Sequence, residues 1–377
     1  MNDNAATPKQ EHEPGTHPNW PAPILTSGPI AWIRDNLFSS PFNVILTLLA
    51  LWVLWIIIPP IINWVFIEAI WSATDRKDCW AQMSEPEAGA CWAFIQSRLS
   101  LFIYGFYPEA ERWRVNLCFV MLVLFLLPIL WDKCPGRKYL LWYCIAFPFI
   151  AAWLLIGGFG LTPVPTNEFG GIMLTFIIGV TGIFFSLPIG VALALGRISS
   201  MPALSTLCVI FIEFIRGVPL IALLFVASTM LNYFLPPGTT FDLLMRVLIM
   251  VTLFSAAYIA EVVRGGLQAM PRGQYEAADA LGLTYWQSAR LIILPQALKI
   301  SIPGIVNTFI GLYKDTTLVI IIGMLDPLGI GRAALADAEW AGLAREVYLF
   351  IAVFFFLCCF GMSRYSLYLE KKLHTGH

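Results

Sequence analysis

The chain has 377 residues, of which 58% are hydrophobic and 12% charged, with a formal net charge of −1; a typical soluble domain carries about 25% charged residues. These values exclude an ordinary soluble domain, and the scattered basic residues exclude a nucleic-acid surface. All four histidines (His12, His17, His374 and His377) lie in the terminal tails, so His-based catalysis and metal ligation have no place in the apolar body.

Residues 1–40 are polar and carry Pro8, Pro14, Pro18, Pro21, Pro23 and Pro29. They predict a disordered tail with a short interfacial stretch near 30–38. The tail lacks the apolar core of a signal peptide, so no cleavage is expected. From residue 42 onward the apolar residues come in blocks long enough to cross a bilayer, which takes about 20 residues. In lipid every backbone group must pair within its own element, so the blocks read as helices. The spans expected are 42–64, 115–131, 139–157, 171–196, 204–231, 243–268, 298–324 and 344–366. The fold class is therefore all-α, a polytopic transmembrane helix bundle of about eight spans.

Basic residues set the orientation. Lys133, Arg137 and Lys138 fall between spans two and three, Arg197 ends span four, Arg272 and Arg290 lie in the 269–297 connection, and Arg364, Lys371 and Lys372 follow span eight. With eight spans all of these share one side with the N-terminus, and that side is expected to be cytoplasmic. The 66–114 connection then faces outward. It contains Cys79 and Cys91, which would form a disulfide in an oxidising compartment; their spacing alone allows two free thiols equally well. The chain has no phosphate-cradling GxxxxGK[ST], no HExxH and no GxSxG, hence no recognisable ATPase or hydrolase of its own.

The 269–297 connection carries the most specific pattern. It reads Gln274-Tyr275-Glu276-Ala277-Ala278-Asp279-Ala280-Leu281-Gly282, then Ile292-Ile293-Leu294-Pro295-Gln296-Ala297. This resembles the EAA loop of bacterial ABC-transporter permeases, with Glu276, Gly282, Ile292, Leu294 and Pro295 at the family's spacing. Glu276-Ala277-Ala278 suits a short helix, the small alanines allow close approach of another protein, and Gly282 permits a turn that a Cβ would resist. The flanks, Phe214-Ile215-Arg216-Gly217-Val218-Pro219, Ala260-Glu261-Val262-Val263-Arg264-Gly265-Gly266 and Lys314-Asp315-Thr316-Thr317-Leu318, resemble the polar-amino-acid (histidine/glutamine-type) permeases.

That resemblance covers roughly 170–370. It implies a type I ABC-importer permease core of five helices over 170–377, preceded by a tail (1–40) and three extra spans (41–169). The enlarged N-terminus resembles the M-type permease of the general L-amino-acid transporters. The implied partners are a cytoplasmic ATP-binding subunit dimer, a second permease subunit, most naturally a paralogue, and a periplasmic amino-acid-binding protein. The implied setting is a bacterial inner membrane. No cofactor is expected on this chain; ATP and Mg would belong to the partner ATPase.

Charges inside spans are costly and mark candidate sites. Glu261 and Asp315 are the candidate acceptors for a substrate ammonium, Arg246 the candidate partner of its carboxylate, and Thr316 and Thr317 candidate hydroxyl donors. Glu261 and Asp315 read equally as structural charges. Glu213–Arg216 and Glu261–Arg264, three apart, read as ion pairs near the interface. Gly179, Gly182, Gly190 and Gly196 read as helix-packing positions. A rival reading is an ion-driven secondary transporter with spans four and seven broken at Pro188 and Pro303; such a protein needs no docking loop. An intramembrane enzyme is disfavoured by the lack of membrane histidine and of a nucleophile motif.

Overall fold

The computed structural model describes residues 28–131, 133–134, 136–230, 233, 236 and 241–373. The expected tail over 1–27 and the four histidines lie outside the described residues. By packing, the chain divides between Ala69 and Ile70 into two units. No β-strand occurs among the described residues.

The first unit contains α1 (Pro29–Leu37) and α2 (Pro41–Ile62). Ser40 caps α2 by accepting the Asn43 amide at 3.2 Å, and Pro41 sits in the first turn, where a missing N–H breaks no bond. The 22 residues of α2 rise about 33 Å, enough to cross a hydrocarbon core of about 30 Å. Near its end Pro59 and Pro60 remove two backbone donors, and the helix widens into a π-type turn, Asn63–Ile67.

The second unit begins with three short helices, α3 (Arg76–Ala81), α4 (Trp92–Ser97) and α5 (Leu99–Tyr104). The 66–114 connection is thus folded rather than an open loop. Asp75 caps α3 through the Asp78 amide at 2.7 Å, and Cys79 is disulfide-bonded to Cys91 with 6.0 Å between their Cα atoms. Then come α6 (Arg112–Leu130), α7 (Arg137–Ile156), α8 (Gly171–Arg197), α9 (Pro202–Gly217), α10 (Leu220–Phe225), α11 (Leu243–Gln268), α12 (Arg272–Ala280), α13 (Tyr285–Ser288), α14 (Leu294–Asp315), α15 (Pro327–Leu335) and α16 (Ala344–Leu373).

At the centre α8 packs along α11, and α11 along α14. Missing side chains make this possible. A Cβ at Gly190 would lie 2.7 Å from Ile259 Cγ2 and 2.9 Å from the Ala256 carbonyl. One at Gly266 would lie 2.6 Å from the Ala297 carbonyl. Backbones that close gain dispersion contacts, which hold helices together where lipid offers no hydrophobic drive. α6 and α7 pack on each other and, with α8, enclose aromatic clusters around Phe125, Phe147 and Phe176.

Among the described residues six helical segments are long and apolar enough to cross a membrane, and a seventh if α9 and α10 count as one. The segment expected as a single span over 204–231 is broken: α9 and the stretch Leu220–Met230 meet at 102°. Pro219 explains the break, because it disfavours helical geometry at Val218 and supplies no donor. The segment expected at 139–157 is helical, but its apolar run, Trp142–Ile156, is short. Pro188 and Pro303, the breaks the secondary-transporter reading needed, lie inside uninterrupted helices.

The short helices α3–α5 form a cap with α15 and the start of α16. Phe94 stacks on Trp340 with centroids 5.4 Å apart, Arg345 pairs with Glu87 at 2.7 Å, and Arg98 pairs with Asp337. The Cys91 amide donates to the buried Glu346 carboxylate at 3.2 Å.

Candidate coupling surface and charge clusters

α12 is nine residues long and ends in a turn whose bonds are all accounted for. Gly282 adopts φ +70°. Its amide donates to the Asp279 carbonyl at 2.9 Å, and the Leu283 amide donates to the Ala278 carbonyl at 3.2 Å. This is the Schellman pattern, in which a left-handed residue satisfies the last carbonyls of a helix. The next segment opens with a reciprocal cap: the Thr284 hydroxyl accepts the Gln287 amide, and the Gln287 side chain accepts the Thr284 amide at 2.9 Å.

α12 is held to its own chain on one side. Ala278 is fully buried, Tyr275 donates its hydroxyl to the Leu267 carbonyl at 3.4 Å, and the Gln296 amide donates to Gln274 at 3.1 Å. Burial pushes the Tyr275 hydroxyl above its ordinary pKa. Glu276, Ala277 and Ala280 face outward, and Leu281, Tyr285, Trp286 and Leu291 are exposed beside them. The two alanines of the motif therefore differ, since successive residues lie about 100° apart on a helix: Ala278 packs inward and Ala277 alone offers close approach. Ile292 lies in a π-type turn, Ala289–Ile293, while Leu294 and Pro295 open α14.

Near this end of the bundle five charges form one cluster. Glu261 pairs with Arg264 at 2.9 Å, with Arg197 at 3.0 Å and with Arg216 at 3.6 Å. Glu213 pairs with Arg197 at 2.8 Å and with Arg216 at 3.9 Å. Three arginines thus meet two carboxylates and tie together α8, α9 and α11. Arg197 bridges both carboxylates, a role its sequence position at the end of span four did not reveal; the signal was a basic residue closing one span beside acidic residues on its neighbours. Glu261, with 15% of its side chain exposed, is occupied by arginines, which leaves it little capacity to receive a substrate ammonium.

Arg246 lies at the other end of α11, where its guanidinium donates to the carbonyls of Ala227 (3.2 Å) and Ser228. Fifteen residues separate it from Glu261 (261 − 246), which is about 22 Å of helix. The two cannot hold the carboxylate and ammonium of one amino acid. Asp315 closes α14 and is half-buried, with no ion pair or hydrogen bond to it among the described residues. The Thr316 hydroxyl donates to the Tyr313 carbonyl at 2.8 Å and that of Thr317 to Lys314 at 2.9 Å, so both donors are spent within the helix.

A cavity of about 570 Å³ lies between α6, α7, α8 and α11. Phe147, Phe176, Phe185, Met173, Leu248 and Ile249 line it. A zwitterion would lose its hydration there with almost nothing in return, so this cavity does not suit an amino acid.

The sequence profile of the binding-protein-dependent transport system inner membrane component matches residues 186–375. The chain belongs to this family. Among full-length relatives of this inner membrane component is the inner membrane amino-acid ABC transporter permease protein YhdY of Escherichia coli, 49% identical over 96% of this chain and 97% of that protein. The glutamate/glutamine/aspartate/asparagine transport system permease protein BztC of Rhodobacter capsulatus is 46% identical over 95% of this chain and 96% of its own length. The probable glutamine ABC transporter permease protein GlnM of Bacillus subtilis is shorter: at 34% identity it covers 54% of this chain and 91% of itself.

Proposed function

We propose that this chain is the permease subunit of an ATP-binding-cassette importer for L-amino acids, forming half of the translocation pathway. The observation that carries the reading is α12: a short helix pinned on one side and exposed on the other, ringed by Leu281, Tyr285 and Trp286. An unpaired apolar rim of this kind suits a protein partner, and the partner is the cytoplasmic ATPase. Relatives named for amino acids support the substrate class.

In this reading ATP and Mg act on the partner subunit. Closure of the ATPase pair pushes α12, and the Tyr275–Leu267 and Gln274–Gln296 bonds pass the movement to α11 and α14. The five-charge cluster moves with them, so Glu261 and its arginines couple the helices rather than bind substrate. Asp315, at the far end of α14, remains the acceptor for the ammonium. A second permease and a periplasmic binding protein complete the importer, in the inner membrane with both termini cytoplasmic.

The test is uptake by vesicles holding the complete complex. We expect accumulation of an L-amino acid that needs ATP inside and the binding protein outside. Accumulation driven by an ion gradient without ATP would overturn the reading.

A further inference from the structure

The cavity between α6, α7, α8 and α11 has an open side. Phe149, Ala152 and Ile156 line it, and their spacings of three and four put them on one stripe of α7. All three are exposed, as is the lining residue Met245 on α11, whereas Phe147, Met173 and Thr252 are buried in its walls. The cavity therefore opens sideways between α7 and α11.

Its depth matches one leaflet. It runs nine residues along α7 (156 − 147) and along α11 (253 − 244), about 14 Å in each case. Along α8 it continues from 173 to 189, about 24 Å. Half of a hydrocarbon core of about 30 Å is about 15 Å. The cavity thus reaches from the cap-side end of these helices at least to the middle of the bilayer, and its open side faces acyl chains. An apolar void of this kind holds no water and forfeits dispersion contacts; a hydrocarbon chain that enters restores them.

At the cap-side end the apolar lining gives way to Thr166 and Asp242, where the Thr166 hydroxyl donates to Asp242 at 2.6 Å. A second cavity, of about 140 Å³, shares Thr166, Phe169, Asp242 and Leu244 with the first and adds the amide side chain of Asn167. An apolar chamber one leaflet deep therefore joins a small polar one. The Asp242 oxygen that receives Thr166 also accepts the Leu244 amide at 3.0 Å. The carboxylate is exposed and has no ion pair among the described residues. Glu168, two residues past Thr166, adds a second negative charge beside the mouth. Among the described residues no Lys or Arg lines either cavity. Arg246, one turn further along α11, spends its guanidinium on the Ala227 and Ser228 carbonyls.

We infer that the two cavities hold one phospholipid with an ammonium-bearing, ethanolamine-type headgroup: one acyl chain fills the larger cavity and the ammonium meets Asp242. The second chain remains in the bilayer through the open side. Anionic headgroups are recognised by Lys and Arg, which this mouth lacks. Seated there, the lipid packs the hairpin of α6 and α7 onto α8 and α11. The assignment rests on the bilayer setting of these helices and not on the importer reading.

Photolabelling of the full chain, purified with its copurifying subunits in nonionic detergent, tests it. Two probes carry the same diazirine-bearing acyl chain, one under an ethanolamine and one under a glycerol phospholipid headgroup. On the wild type we expect the ethanolamine probe to label residues within 147–156 and 244–253 about tenfold more than the glycerol probe does, as a charge-assisted bond to the headgroup predicts. This arm needs no variant to fold. Asp242→Asn still caps α11 and should bring the two probes within about threefold of each other. Val180→Trp, which fills the larger cavity from α8, should abolish labelling at those residues by both. Equal labelling of the wild type by the two probes, a preference that survives Asp242→Asn, or undiminished labelling of Val180→Trp would each overturn the assignment. So would an unlabelled wild type, the result expected if a helix of a second permease fills the cavity instead.

Discussion

Asp326 shows how one carboxyl in the cap is set by its surroundings. It is fully buried, one oxygen accepts the Gly329 amide at 2.9 Å to cap α15, and the other has no partner. Burial pushes its pKa up from 3.8 to about 6. Because the folded state holds the proton more tightly than the unfolded chain, this residue's contribution is fully present below pH 3.8 and is lost as pH rises through about 6. The shift corresponds to about 3 kcal/mol. Asparagine caps as well as aspartate and carries no charge. Asp326→Asn should therefore raise the thermal midpoint of the purified complex above pH 6 and flatten its dependence between pH 4 and 6; an unchanged profile would refute the account. The buried charges of the spans could be named from the sequence, as could the i,i+3 pairs Glu213–Arg216 and Glu261–Arg264. What joins them could not: Arg197 reaches both carboxylates only once α8, α9 and α11 are packed.

The elements divide in the same way. The loop from Arg272 to Pro295 was legible because its chemistry is local: a good helix former, a glycine at the turn and a proline at the next start. The structure adds the Schellman turn, which makes the role of Gly282 specific. A Cβ there meets nothing within 4 Å, so only the positive φ resists substitution. Asparagine visits that region readily, while a β-branched residue is strained by roughly 1–2 kcal/mol. Gly282→Asn should keep ATPase copurification and uptake near wild type, and Gly282→Val should reduce both at normal membrane abundance. Equal behaviour of the two variants would show that the turn is not what positions α12. The break between α9 and α10 was less legible. Val218-Pro219 is visible in the sequence, but a proline in an apolar stretch can leave the helix intact, as Pro188 and Pro303 do; packing on neighbouring helices decides which outcome occurs.

For the whole molecule, the proposed orientation places α12 and the cap on opposite sides of the membrane, and the distribution of Lys and Arg supports it. An impermeant thiol reagent applied to intact cells should label Glu85→Cys, on the exposed surface of the cap, and spare Gly273→Cys, beside α12. The reverse pattern would invert the chain and separate α12 from a cytoplasmic ATPase. The cap itself was hidden from the sequence, which reads 66–114 as a polar connection. Its fold depends on partners that arrive much later: Arg98 with Asp337, Cys91 with Glu346, and Glu87 with Arg345 are 239, 255 and 258 residues apart. That separation has a consequence in time. At a synthesis rate of about 5–20 residues per second, roughly 12–50 s pass between the emergence of the two halves. Throughout that interval the first half waits without Trp340 over Phe94, held by its local contacts: the Cys79–Cys91 crosslink and the bonds of Ile70 to Ala90 and Trp92. α16 thus closes a cap that α3 began, so a chain truncated before Glu346 carries that cap open.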